Sequence, residues 1–134
     1  STVELEDDAW DEIRNFQKSL LQMMHEQDKG VIFTEQVINF KWHRHTIIEC
    51  LPVPQSIFLD APAYFRESLL ESESEWSQHK KVIETSHATG GIRSKLTSKL
   101  AYFHVWFGIE KGFAHIIEEP KEWEPWFGKV YNTN

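Results

Sequence analysis

The sequence predicts an α+β domain in which an antiparallel sheet carries helices on one side. Three observations favour this class. Apolar residues recur at helical spacing near the N-terminus, β-branched and aromatic runs follow, and a glycine-bounded hairpin pattern lies near the C-terminus. With 134 residues, the chain is long enough for one hydrophobic core, and we do not expect a second independent domain.

The first helix is predicted from the N-terminal segment. Asp7 and Asp8 can cap it, and Gly30 is predicted to close it. Between them, apolar residues recur at steps of three and four: Trp10, Ile13, Phe16, Leu20, Leu21 and Met24. This spacing is typical of an amphipathic helix.

Two strands are predicted next, as neighbours in the sheet. They are Val31–Val37 and Thr46–Val53, which are rich in β-branched residues, with Asn39–His43 as their connection. Pro52 and Pro54 have no N–H to donate to a strand ladder, so we expect them to end the second strand.

A long helix is predicted after the apolar loop "QSIFLD", with Pro62 near its first turn. One face of this helix is predicted to carry, at helical spacing, Phe65, Leu69, Trp76 and His79. The acidic run "ESESE" is predicted to form its solvated side.

The clearest hairpin signal lies further on. After the Gly-then-basic stretch "HATGGIRSKLTSKL", strands are predicted at Ala101–Phe107 and Phe113–Ile117, around a turn from Gly108 to Gly112.

The overall charge limits the function. A formal net charge of −7 argues against a protein that holds nucleic acid by bulk electrostatics, so any RNA contact has to be local.

The single cysteine, Cys50, allows neither an intrachain disulfide nor a Cys-x-x-Cys metal site within this chain. No apolar run approaches a membrane span, and the acidic N-terminus lacks the basic start of a signal peptide, so we expect a soluble, intracellular protein.

The stretch "WHRHTIIEC" concentrates residues that could carry chemistry. On a strand, alternate side chains share a face. One face would then carry His43, His45, Ile47 and Glu49, and the other Arg44, Thr46, Ile48 and Cys50. Two imidazoles and a carboxylate could serve acid–base or nucleophilic catalysis, or one histidine could simply pack while the other is solvated. The spacing supplies no third metal ligand, so no metal site is predicted.

A second group of candidates is basic. Arg93, Lys95 and Lys99, with Lys80 and Lys81 upstream, form a local cluster on an acidic chain. Such a cluster is typical of either a phosphate-backbone contact or solvated loop side chains. The remaining candidates are predicted to be structural: His104 and His115 as hydrogen-bonded sheet residues, and Cys50 as a packed side chain.

The combination and order of several segments carry a family resemblance. They are "WDEIRNFQKSLLQMM", "HTIIECLPVP", "APAYFRESLLESESEWSQHKK", "LAYFHVWFG", "GFAHIIEE" and "WFGK". Together they resemble the C-terminal region of the CwfJ family of splicing factors, over about residues 10–129. The resemblance implies a partial first module at residues 1–60, without its upstream strands, and a second module at residues 61–134, packed as one unit with the first.

The resemblance implies a fold and a cellular role. The first module of that family is similar to the HIT fold of nucleotide-binding hydrolases. The expected architecture is therefore a HIT-like antiparallel sheet with two main helices on one side and a C-terminal β-hairpin extension. The implied setting is the nucleus, in a late or intron-lariat spliceosome. The implied partners are spliceosomal proteins and snRNA or intron RNA, with the lariat debranching enzyme as a further candidate, and no cofactor is expected.

The resemblance also bears on catalysis. HIT enzymes carry His-x-His-x-His on a strand, and the middle histidine attacks a nucleotide phosphate. Read from the first histidine, the pattern keeps His45 as this nucleophile. Read from the Pro-Val-Pro that follows, it falls on His45, Ile47 and Glu49, and isoleucine cannot attack phosphorus. Because "ECLPVP" matches the splicing-factor branch without a gap, we prefer the second register.

We therefore expect a non-catalytic binding module with no catalytic residue. His43, Arg44 and His45 are the candidates for a degenerate phosphate site, and Arg93, Lys95 and Lys99 for contacts with the RNA backbone. The alternative is a HIT-type nucleotidyl hydrolase or transferase with His45 as its nucleophile.

Overall fold

The α+β class is confirmed by the computed structural model, which describes residues 1–38, 46–72 and 78–118. The helices and strands are, in chain order, α1 (Asp7–His25), β1 (Lys29–Val37), β2 (Glu49–Pro54), α2 (Gln55–Glu71), β3 (Ile83–Glu84), β4 (Tyr102–Phe107) and β5 (Lys111–Ile116). Two short 3-10 helices, at His87–Thr89 and Ile92–Ser94, lie between β3 and β4.

All five strands form one antiparallel sheet in the order β2-β1-β4-β5-β3. The predicted late hairpin is present as β4 and β5, which turn through Gly108 at a φ of 72°. The sequence predicted this hairpin as an extension of the sheet. The structure instead places β4 at the centre, where it pairs with β1 from Ile32 opposite Phe107 to Val37 opposite Tyr102. Strands from both halves of the chain therefore share one sheet.

The two helices lie on opposite faces of this sheet, whereas the sequence predicted both on one side. Successive side chains of a strand point to opposite faces. Val31 and Phe33 of β1 belong to the cluster against which α1 packs through Trp10, Leu20, Leu21 and Met24. Ile32 belongs to the other cluster, which contains Phe65 and Leu69 of α2. The central strands are buried on both sides, and all six residues of β4 are buried.

Gly30 does not close α1 as predicted but lies inside β1. The helix ends at His25, and the chain reverses through Asp28, whose φ of 58° is left-handed. Glycine is required at position 30 for a packing reason: a Cβ there would lie 2.2 Å from the ring of Phe58 on α2. The glycine lets the strand and the helix approach closely.

The boundary between β2 and α2 also differs from the prediction. Thr46–Ile48 precede the strand, and Pro52 and Pro54 lie within it. Proline is tolerated because β2 is an edge strand with a neighbour on one side only. The predicted loop "QSIFLD" is the start of α2, so Pro62 lies inside the helix.

The upstream start of α2 follows from packing. Phe58, Ala61, Phe65 and Leu69 pack into one cluster at steps of three and four. The predicted face continued to Trp76 and His79. Trp76 is outside the described residues, and His79 lies beyond the end of α2, where its Nδ1 is 2.8 Å from Glu118 Oε1.

None of the described helices combines the length and the apolar character that crossing a bilayer requires.

Candidate functional site

The predicted phosphate site lies only partly within the described structure. His43, Arg44 and His45 are outside the described residues, and the chain is described again from Thr46. Ile47, which takes the nucleophile position in the preferred register, has 67% of its surface exposed.

The alternation predicted for this stretch holds within β2. Glu49 lies opposite Thr34, and Cys50 lies opposite Phe33. Paired residues of an antiparallel ladder share a face, so Glu49 and Cys50 point to opposite sides of the sheet. Cys50 packs at the border of the α1 cluster, and burial raises the pKa of its thiol, which fits the predicted structural role.

A cavity of about 180 Å³ lies where β1 ends beside this stretch. Its lining is formed by Ser1, Thr34, Glu35, Gln36, Val37, Ile47 and Glu49. Two of these side chains are carboxylates, and none is a lysine, an arginine or a histidine. The described lining therefore offers no basic side chain to a phosphate group.

Glu35 is a buried carboxylate that was not among the predicted site residues. Only 3% of its surface is exposed. The backbone N–H and the hydroxyl of Thr2 each donate to its carboxylate over 3.0 Å, and the Tyr102 hydroxyl donates to Oε1. Burial raises the pKa of Glu35 in spite of these hydrogen bonds, and burial together with this carboxylate raises the pKa of Tyr102. The sequence held one signal of this burial: Glu35 is an acidic residue on the same strand face as the apolar residues Val31 and Phe33.

In the basic cluster, Arg93 is occupied by contacts within the protein. Its Nη1 donates to the carbonyl of Thr2 over 2.7 Å, and its Nη2 donates to Asp7 Oδ1 over 2.9 Å. The guanidinium also lies 5.7 Å from the centre of the Trp10 ring. Lys95 and Lys99, in contrast, are exposed. The three residues share a loop, but the two lysines are the ones directed to solvent.

A second cavity, of about 250 Å³, lies between α1 and this loop. Its lining is formed by Trp10, Asp11, Arg14, His87, Gly90, Gly91, Ile92 and Arg93. The guanidinium of Arg14 lies 5.9 Å from the centre of the Trp10 ring, so the same indole contacts two arginines. Arg14 was not among the predicted site residues, because no local pattern joins it to a loop so distant along the chain.

The two sheet histidines are hydrogen-bonded structural residues, as predicted. His104 is fully buried, its Nε2 is 2.6 Å from Thr85 Oγ1, and burial lowers its pKa to about 3. His115 donates from Nδ1 to the carbonyl of Lys81 over 2.7 Å. Within residues 1–38, 46–72 and 78–118, no group of three potential metal ligands comes together.

Family models match both halves of the chain. A family model described as "Protein similar to CwfJ C-terminal" matches residues 1–66, and one described as "Protein similar to CwfJ C-terminus 2" matches residues 75–130.

Individual relatives agree with these matches. The chain is 43% identical over 128 residues to pre-mRNA-splicing factor cwf19 of Schizosaccharomyces pombe. The aligned region covers 92% of the chain and 20% of that protein. It is 41% identical to CWF19-like protein 2 of Mus musculus and 39% identical to that of Homo sapiens, each over 125 residues, 93% of the chain and 14% of the relative. The chain thus spans at most about a fifth of the length of these relatives.

Proposed function

Since this chain belongs to the CwfJ family, we propose that it is a region of a nuclear pre-mRNA splicing factor and acts there as a binding module. The observation that carries this proposal is the pair of family matches, which together cover most of the chain, beside a relative that is named a pre-mRNA-splicing factor. The module works in a late or intron-lariat spliceosome, in contact with RNA and spliceosomal proteins, the debranching enzyme among the candidates.

The module is HIT-like and non-catalytic. In the register set by Pro52 and Pro54, the nucleophile position falls on Ile47, which has no group that can attack phosphorus. The cavity beside Ile47 supports this reading, because its described lining offers no basic side chain to a phosphate group. Any retained contact with phosphate therefore falls to His43, Arg44 and His45.

The two segments matched by the family models act as one unit. The direct pairing of β1 with β4 supports this, because the first segment supplies β1 and β2 and the second supplies β3, β4 and β5 to a single sheet. Separating the segments would expose the apolar residues of both sheet faces.

Contacts with the RNA backbone are made by Lys95 and Lys99, which are exposed on the basic loop. Arg93 has a different part in this site. Because its guanidinium is engaged with Thr2, Asp7 and Trp10, it holds the loop in place while the lysines reach phosphate oxygens.

The test replaces Lys95 and Lys99 together by Gln in the full-length splicing factor. We expect RNA crosslinking to fall several-fold, and the slope of log K against log salt to decrease by about 0.7 for each lost phosphate contact. Replacing Lys18, an exposed lysine of α1, is the matched control. Unchanged crosslinking in the double variant would refute the RNA contact, and absence of the wild-type protein from spliceosomes would refute the splicing role.

A further inference from the structure

A groove lies between α1 and the β2 edge of the sheet, on the face that carries Cys50. Its volume is about 190 Å³. The residues that line it are Ile13, Phe16, Gln17, Leu20, Phe33, Thr46, Ile48 and Cys50. This groove is separate from the cavity that contains Ile47 and Glu49, and it has no part in the proposed RNA contact.

Gln17 is an unusual member of this lining. Only 3% of its surface is exposed, yet neither Oε1 nor Nε2 has a hydrogen-bond partner among the described residues. An unpaired buried amide is costly, so buried polar groups are nearly always hydrogen-bonded. The amide offers an acceptor and a donor side by side, and a ligand that satisfies both has to present a donor and an acceptor of its own.

The rest of the groove defines the chemistry of that ligand. None of the eight lining residues is charged, and most are apolar. Phe16, beside Gln17 on α1, has 66% of its surface exposed, and Met23 further along the helix has 45% exposed. Exposed apolar side chains next to a groove are typical of a protein-binding surface.

From these features we infer that the groove binds an extended, apolar segment of a partner protein. Main-chain N–H and C=O groups of that segment pair with the Gln17 amide, and an apolar side chain inserts between Phe16 and Ile48. An RNA strand fits less well, because its phosphates would meet no cation among the described residues of the lining, on a chain with a formal net charge of −7. This inference goes beyond the proposed function and does not depend on it.

The test begins with selection of peptides from a display library on the full chain. The binding affinity of a synthetic copy of the selected consensus peptide is then measured. A second copy is N-methylated at the residue whose side chain inserts into the groove, so it lacks the backbone N–H of that residue. We expect Gln17→Leu to weaken binding of the unmodified peptide about tenfold. N-methylation should weaken binding to the wild type by a similar factor, and it should have little further effect on Gln17→Leu.

Two variants control for damage to the fold. Phe16→Ser should abolish peptide binding, whereas Lys18→Ser, at a neighbouring exposed position that is not part of the groove lining, should leave it unchanged. Gln17→Leu should also raise the Tm of the free protein by about 4 °C, because it removes an unpaired buried amide. A lower Tm would mean that the amide has a partner inside the fold and would overturn the inference.

Other outcomes are equally decisive. Failure to select a peptide that depends on Gln17 and Phe16 would overturn the proposal. Binding of a short oligoadenylate RNA that is lost in Gln17→Leu would assign the groove to a nucleobase instead. Self-association that Phe16→Ser abolishes would assign it to a second copy of this chain.

Discussion

The guanidinium of Arg93 lies over the indole of Trp10 and joins the basic loop to the first helix. The loop is held further by the hydrogen bonds of Arg93 to the Thr2 carbonyl and to Asp7. Asp7 is highly exposed, so its ion pair adds little, and the bond to Thr2 and the ring contact dominate.

Arg93→Ala should therefore lower the free energy of unfolding by about 1–2 kcal/mol, through the lost hydrogen bond and ring contact. Urea denaturation measures this change. Lys95→Ala, a change at an exposed position in the same loop, should stay within about 0.5 kcal/mol of the wild type. Equal effects of the two variants would contradict a structural role for Arg93.

Stability should fall in mild acid because of His104. Burial lowers the pKa of this histidine to about 3, below the value of about 6.5 in an unfolded chain. Its contribution to stability is therefore complete above pH 6.5 and is lost as the pH falls from there towards 3. At pH 5 this one group should cost about 2 kcal/mol relative to pH 7.

The measurement is the free energy of unfolding at several pH values between 7 and 5. His104→Gln should be less stable at pH 7 but should show a smaller decrease towards pH 5. His87→Gln is the matched control, because His87 is exposed and its replacement should leave the decrease unchanged. If His104→Gln kept the full decrease, another group would be responsible.

Tyr102→Phe should destabilise the protein through Glu35. The substitution removes a hydroxyl that donates to this buried carboxylate, and the loss should cost about 2 kcal/mol. It should also raise the pKa of Glu35 further, because the hydrogen bond favours the ionised form.

A carboxyl group whose folded pKa is raised contributes stability below its unfolded pKa, and this stability is lost as the pH rises through the folded value. The deficit of Tyr102→Phe should therefore be smallest in acid and grow towards neutral pH. Thermal unfolding across this range checks it, and a deficit that is independent of pH would argue against the link to Glu35.

Gly30→Ala should be destabilising because the added Cβ would meet the ring of Phe58 at 2.2 Å. We expect a cost of about 1–3 kcal/mol, as for other overpacked sites. In the double variant with Phe58→Ala, the two effects should be far from additive, since the second change removes the obstructing ring. Additive losses would show that Gly30 matters for another reason.

The full-length protein should not turn over an adenosine phosphoramidate. In the preferred register the nucleophile position holds Ile47, so neither Ile47→Ala nor His45→Ala should change the background rate. Measurable turnover that His45→Ala abolishes and Ile47→Ala spares would establish the enzymatic alternative.

Local patterns predicted much of the fold. The spacing of Trp10, Leu20 and Met24 identified α1, and the β-branched run identified β1. In both cases the signal lies within one element, because the period of apolar residues reports which side of it is buried. The same alternation placed Glu49 and Cys50 on opposite faces of β2.

The predictions that differed from the structure depended on contacts between elements. The start of α2 is decided by the packing of Phe58 and Ala61 against the sheet, not by Pro62. The placement of the helices is the exception, because the sequence did carry a signal for it: "YFHVWF" is almost entirely apolar, as expected for a strand covered on both faces.

By itself, the sequence determined the fold class, most of the elements and, through its resemblance, the family. Only the tertiary structure decided that Arg93 faces inward to Trp10 while Lys95 and Lys99 face solvent, and that Glu35 and Gln17 are buried. Periodicity records the environment of a single helix or strand. The partners of a charged or polar side chain come from segments far apart along the chain, and only folding brings them together.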